Sequence, residues 1–155
     1  MDDQKELREH VIELLDGRSA HIDLATALKD FPINEINTRI KHSPHTAWEL
    51  LEHIRLAQSD ILEFSRDAEH VSPEFPDGYW NHSTANADGW KRSVKQVIKD
   101  LQAIRDLVSN NRIDLFAKFP HGTGQTLLRE ALLVADHNAY HLGQIMLIRR
   151  ILETN

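Results

Sequence analysis

The segment that most restricts the fold is the last long one, Thr126 to Leu152, TLLREALLVADHNAYHLGQIMLIRRIL. It has no proline, and its one glycine, Gly143, is too isolated to stop a helix. Leu127, Leu128, Ala131, Leu132, Val134, Ala135, Ala139, Leu142, Ile145, Met146 and Ile148 point in nearly every direction around its axis. A helix that is apolar almost all round is buried, or buried on one face and covered by a partner chain on another. Two histidines, His137 and His141, sit in its middle. Four residues apart, they share one face with about 6 Å of rise between them, so both imidazoles can reach a single metal ion. Two core histidines hydrogen-bonded to neighbours would give the same pattern, and the pair alone leaves both readings open.

The rest of the chain supplies helices that can cover this one. Asp3 to Asp16 is amphipathic, with Leu7, Val11 and Leu14 on one side. After Gly17, Ser19 can cap a second piece, Ala20 to Asp30, which Phe31–Pro32 stops. Thr46 to Asp67 is the second long helix; Thr46 and Glu49 form the S/T-x-x-E capping box. Its residue His53 belongs to an apolar stripe with Leu50, Ala57 and Phe64. Asp88 to Ser109 is the third, with Trp90, Val94, Val97, Ile98, Leu101, Ile104 and Val108 on its apolar face. Glu69 to Asn86 lies between the second and third long helices and holds Phe75, Tyr79 and Trp80. It exceeds the usual short connection between bundle helices, so the next helix can start parallel to the last. Its aromatics can wall a pocket or simply plug the bundle end. Gly122 and Gly124 are turn residues before the last helix.

Four long helices, polar connections and no strand pattern predict an all-α fold, a four-helix bundle in one domain spanning 1–155. There is no cysteine, which excludes disulfides, zinc–thiolate sites and a cysteine nucleophile. No serine sits in a G-x-S-x-G elbow. A net charge of −6 without Lys/Arg clusters argues against nucleic-acid binding. The polar start MDDQKELREH and the short apolar runs predict a cytoplasmic protein with no membrane partner.

In such a bundle His53 can join His137 and His141 as a three-histidine site. Three neutral ligands leave open positions on a divalent ion. A metal-bound water, its pKa lowered towards ~7, would then be the nucleophile. Ligand histidines need acceptors for their other ring nitrogens, and Glu49, Glu130 and Gln144 are the candidates by helix spacing. Glu49 or Glu130 could also assist as a base. Tyr79 and Trp80 are the expected substrate wall. His45 and His121 are the alternates should one of the three not ligate. His45 lies about 12 Å along the axis from His53 if one helix runs through both.

PHTAWELLEHI, PDGYW and REALLVADHNAYHLGQIMLIRR, with the spacing HxxxHxGQ over His137 to Gln144, resemble the DinB/YfiT-like family over nearly the whole chain. The resemblance implies a four-helix bundle with a His53, His137, His141 triad binding nickel or zinc, and a frequent homodimer. It also implies an activity loosely described as metal-dependent hydrolysis of a small molecule. Related branches are S-transferases or isomerases using low-molecular-weight thiols. A non-catalytic metal-binding bundle is the reading from a different class. The partner face expected on the last helix is Leu128, Leu132, Ala135 and Ala139.

Overall fold

The computed structural model describes residues 3–154. Five α-helices follow one another: α1 (Asp3–Asp16), α2 (Leu24–Leu28), α3 (Ala47–Arg66), α4 (Ala87–Ser109) and α5 (Leu127–Thr154). Short 3-10 turns lie at Ile33–Glu35 and Asp77–Tyr79. No strand forms among the described residues; Lys118 and Thr126 make one isolated antiparallel bridge. The four long helices, α1, α3, α4 and α5, form the bundle.

The expected second piece is much shorter than Ala20–Asp30. Asp23, not Ser19, caps it, with its carboxylate accepting from the Thr26 amide and hydroxyl. A capping carboxylate holds its own residue in extended backbone, so the helix cannot begin earlier. Asp30 adopts the left-handed region (φ 57°) beyond its end. The α3 start is as expected: the Thr46 side chain accepts from Glu49 N–H, and the Glu49 carboxylate accepts from Thr46 N–H.

Two apolar clusters fill the bundle. One gathers Trp48, Leu51 and Ile54 of α3, Trp90 and Val97 of α4, and Leu142, Ile145 and Ile148 of α5. The other joins Val11 and Leu15 of α1 to Leu62, Ile104, Val108, Leu127, Ala131 and Val134. Gln58, 1% exposed, ties α3 to both neighbouring helices. Its amide donates to Val97 O (2.7 Å) and its oxygen accepts from Asn138 Nδ2 (2.8 Å). A buried polar group with several partners fixes the relative register of three helices, because any slip would leave it unpaired. At the other end of the bundle the buried Arg8 donates to Val108 O and Ile113 O, and so satisfies a carbonyl at the C-terminal end of α4.

α3 and α4 run parallel: Ser93 donates to Glu52, and one to two turns further along both helices Gln58 donates to Val97 O. The connection between them makes this geometry possible by running back along α3. His70 meets Asp60, Asn81 meets Glu52, and His82 meets Glu49, in reverse order along the helix. Phe75 does not plug the bundle end; it is 84% exposed, whereas Trp80 packs on the core.

Candidate metal centre

The fold brings His53, His137 and His141 to one point. One ring nitrogen from each lies within 4.8 Å of the others, and the ring centroids are 4.5 to 4.8 Å apart. His141 is buried and the other two are half-buried. α5 supplies two of them because residues four apart stack on one face, and α3 supplies the third from the stripe it packs against α5.

The hydrogen-bond partners determine which nitrogens face the centre. His53 Nδ1 lies 2.9 Å from Tyr79 O, and His141 Nδ1 lies 2.7 Å from Gln144 Oε1. Both oxygens accept only, so both Nδ1 atoms carry the ring proton and both Nε2 atoms keep a lone pair. His137 Nε2 lies 3.0 Å from His53 Nε2 and donates to it. For His137 to offer Nε2 to a metal ion, its ring proton would move to Nδ1, since a neutral imidazole ligates through its unprotonated nitrogen. Burial pulls all three histidines below the ordinary value. His137 falls to about 4, with the neighbouring His141 and His53 adding to the effect of burial. For His53 and His141 the bonds to Tyr79 and Gln144 oppose burial without outweighing it. The imidazoles are therefore neutral at pH 7, the form that ligates metals, and the donor set fits a divalent ion.

Trp80 stacks on His53 with 3.9 Å between centroids and 1° between planes, and on His45 with 3.9 Å and 11°. Two parallel rings this close to one indole cannot share a face without colliding, so Trp80 is held between them. Its contact with the triad fixes the plane of a ligand ring. Tyr79 acts through its backbone: its carbonyl holds His53, while its hydroxyl donates to Asp60 Oδ2 (2.7 Å). Burial and the Asp60 carboxylate raise that hydroxyl to about 12. Asp60 also accepts from His70 (2.7 Å), which anchors the same connection.

Of the three expected supports only Gln144 touches a triad histidine. Glu49 is engaged elsewhere: its carboxylate accepts from Thr46 N–H, Arg39 and His82, and His53 Nδ1 is taken by Tyr79 O. One carboxylate cannot close the capping box and also reach a ring one turn further on. Glu130 is buried and accepts from Arg129, not from His137. His45 precedes α3, so the distance expected along one continuous helix does not apply, and Trp80 links it to the site. His121 is remote, donating to Phe64 O (2.8 Å). The Tyr79 carbonyl has no sequence signal, because any residue supplies one. The pairing of Glu52 with Arg55, Ser93 and Asn81 beside the site was equally hidden.

Fold and site together define a helical bundle with a three-histidine cluster able to hold a metal ion. A family model, the DinB superfamily, matches residues 18–145, and the chain belongs to that superfamily. No curated protein and no solved structure matches the chain.

Proposed function

We propose that the chain is a metal-dependent enzyme that hydrolyses a small-molecule substrate, with one divalent ion on His53, His137 and His141. The observation that supports this is the convergence of three neutral imidazoles. Structural zinc is usually closed by four protein ligands, whereas three is the count of catalytic sites. Nickel and zinc both suit imidazole donors. A bound ion of this kind supplies Lewis acidity and lowers the pKa of a ligated water or thiol. The chain's own residues hold the ligand rings in place: Tyr79 O and Gln144 Oε1 fix two tautomers, and Trp80 fixes a ring plane and covers the site. Glu49 and Glu130, bound elsewhere, do not serve as bases.

Metal analysis of the purified protein, followed by chelation and reloading during assay of an ester and amide panel, tests the reading. Hydrolysis should vanish on stripping and return with nickel or zinc. Activity that survives complete metal removal would defeat it. Turnover that appears only with an added low-molecular-weight thiol would replace hydrolysis by transfer to or from sulfur.

The proposed assembly is a two-fold homodimer. Of the face expected to meet a partner, Leu128, Leu132, Ala135 and Ala139, Ala135 is buried and Leu128 packs on the chain's own core. α5 leaves Leu132 (43%) and Tyr140 (66%) exposed, and these are the residues proposed at the interface. No described helix is long and apolar enough to cross a membrane.

A further inference from the structure

A cavity of about 290 Å³ lies between the start of α3 and the first turn of α4, and no triad histidine lines it. Three stretches of chain supply its polar wall: Trp48 of α3, Thr84 and Asn86 of the connection, and Arg92 and Ser93 of α4. Trp48 is 5% exposed, and its Nε1 is buried without a hydrogen-bond partner among the described residues. An indole nitrogen only donates, so what it lacks is an acceptor. The amide oxygens at this end of α4 are engaged: Asn86 Oδ1 accepts from Gly89 N–H (2.9 Å), and Ala85 O accepts from Asn37 Nδ2 (2.8 Å). Buried donors are normally paired, so an unpaired one on a cavity wall points to an acceptor that enters the cavity.

Arg92 gives the charge of that acceptor. The bare α-carbon of Gly89 lets the guanidinium fold back over the first turn of α4: a Cβ built there would lie 3.9 Å from Arg92 Nη2. That turn is the positive pole of a 23-residue helix. It is an unfavourable seat for a second positive group unless an anion lies beside both. No carboxylate pairs with Arg92 among the described residues, and none lines the cavity. Asp88 is exposed in the same turn but is not on the wall. Glu52, which accepts from the Ser93 hydroxyl (2.6 Å), is held by Arg55 and Asn81.

We propose that this cavity binds the phosphate group of a small ligand, at a site separate from the metal centre. Trp48 Nε1, the Thr84 hydroxyl, Asn86 Nδ2 and the Arg92 guanidinium would donate to its oxygens at the positive end of α4. Helix N-termini and guanidinium groups both favour phosphate. Donors from three stretches of chain suit a tetrahedral group, whose oxygens accept in several directions, better than a carboxylate, which accepts in one plane. The site does not depend on a metal ion at the triad.

The test titrates nitrogen-15-labelled protein with inorganic phosphate and, separately, acetate at pH 7, following the indole N–H signals. Trp48→Phe assigns the Trp48 signal, and the Trp80 indole beside the triad is the reference. Phosphate should shift the Trp48 signal saturably, leave that of Trp80 unmoved, and bind about tenfold more tightly than acetate, the size of one charge-assisted hydrogen bond. Arg92→Gln, at an exposed position, should weaken phosphate about tenfold or more by the same measure. Thr84→Val should weaken it severalfold. Lys95→Gln removes the same charge from α4 outside the cavity and should leave the affinity unchanged. A Trp48 signal that stays fixed at high phosphate overturns the site, and so does movement of Trp80 alone. Equal weakening by Arg92→Gln and Lys95→Gln overturns it as well, because the anion would then be answering only the general charge of α4. Equal affinity for acetate and phosphate overturns the assignment to phosphate.

Discussion

Near each end of α3 a histidine packs against aromatic rings and bonds to a backbone carbonyl, His53 on α3 itself and His121 from the connection between α4 and α5, yet only one of them joins a site. At the first, His53 stacks on Trp80 and donates from Nδ1 to Tyr79 O. At the other, His121 meets Phe64 (4.9 Å) and Phe119 (5.6 Å) and donates from Nε2 to Phe64 O. The residue types match, and the difference is which nitrogen is tied. Tying Nδ1 turns the exposed tip of the ring, Nε2, towards His137 and His141. Tying Nε2 engages that tip on the backbone and leaves His121 fastening a loop to α3. A histidine becomes a candidate ligand through the bond made by its other nitrogen.

The strongest break in this comparison is His137→Ala against His121→Ala. The first should abolish stoichiometric metal binding and the second should leave it intact, by elemental analysis of dialysed protein. Equal metal content in both variants would place the ion elsewhere.

Acid should separate the two ends next. His137 titrates at about 4 in the folded chain and near the ordinary ~6.5 when unfolded. Between those values the unfolded state binds more protons, so stability is undiminished above about pH 6.5 and falls as pH drops towards 4. Metal affinity falls as pH approaches 4, where protons begin to compete for His137 in the folded chain. Metal content and denaturant midpoint measured from pH 7 to 4 check both. In His137→Ala this part of the acid destabilisation should be missing, whereas His121→Ala should lose stability like the parent.

Gln144→Ala removes an acceptor from a ligand without removing the ligand. Supports of this kind are worth about 10- to 100-fold in metal affinity, measured by competition with a chromophoric chelator. Unchanged affinity would mean that His141 needs no help in facing the centre. Trp80→Ala should cost about 3 kcal/mol of stability, as loss of a large packed aromatic does, and weaken metal binding less than Gln144→Ala. A large fall in melting temperature with unchanged activity per folded molecule would leave Trp80 a packing residue only.

The bundle and the histidine pair were legible because both follow from spacing. Apolar periodicity places helices, and an i, i+4 pair needs only helix geometry. His53 was legible because it lies in an apolar stripe. The supports were not, because they depend on where the connection runs. Glu49 met the spacing rule for a support, but its carboxylate closes the capping box and holds Arg39 and His82. The acceptor on His53 is a main-chain carbonyl that the connection delivers by retracing α3. α2 is shorter than its periodicity predicts for a related reason: apolar residues from Ile22 to Leu28 suggest a longer helix, while the Asp23 cap that starts it late is a local bond.

The two ends also differ in how their loops approach α3, and a pair of glycines gives the finest test. A Cβ on Gly78, inside the turn that presents Tyr79, would lie 2.8 Å from Pro73 Cβ and 3.3 Å from the Pro73 carbonyl carbon. A proline ring and a backbone carbon cannot swing aside, so Gly78→Ala must shift the turn and with it the carbonyl on His53. A Cβ on Gly122 would lie 2.6 Å from Gln125 Oε1 and 3.2 Å from the Phe64 ring. The first of these is the far end of a flexible side chain, and it can move. Gly78→Ala should therefore cost about 1–3 kcal/mol, the range for overpacking, and lower metal affinity severalfold. Gly122→Ala should cost under about 1 kcal/mol by the same comparison and leave metal binding unchanged. Denaturant melts and chelator competition on the two variants supply both numbers. If Gly78→Ala loses stability but keeps full metal affinity, the Tyr79 carbonyl is dispensable for orienting His53, and the contrast between the two histidines would rest on Trp80 alone.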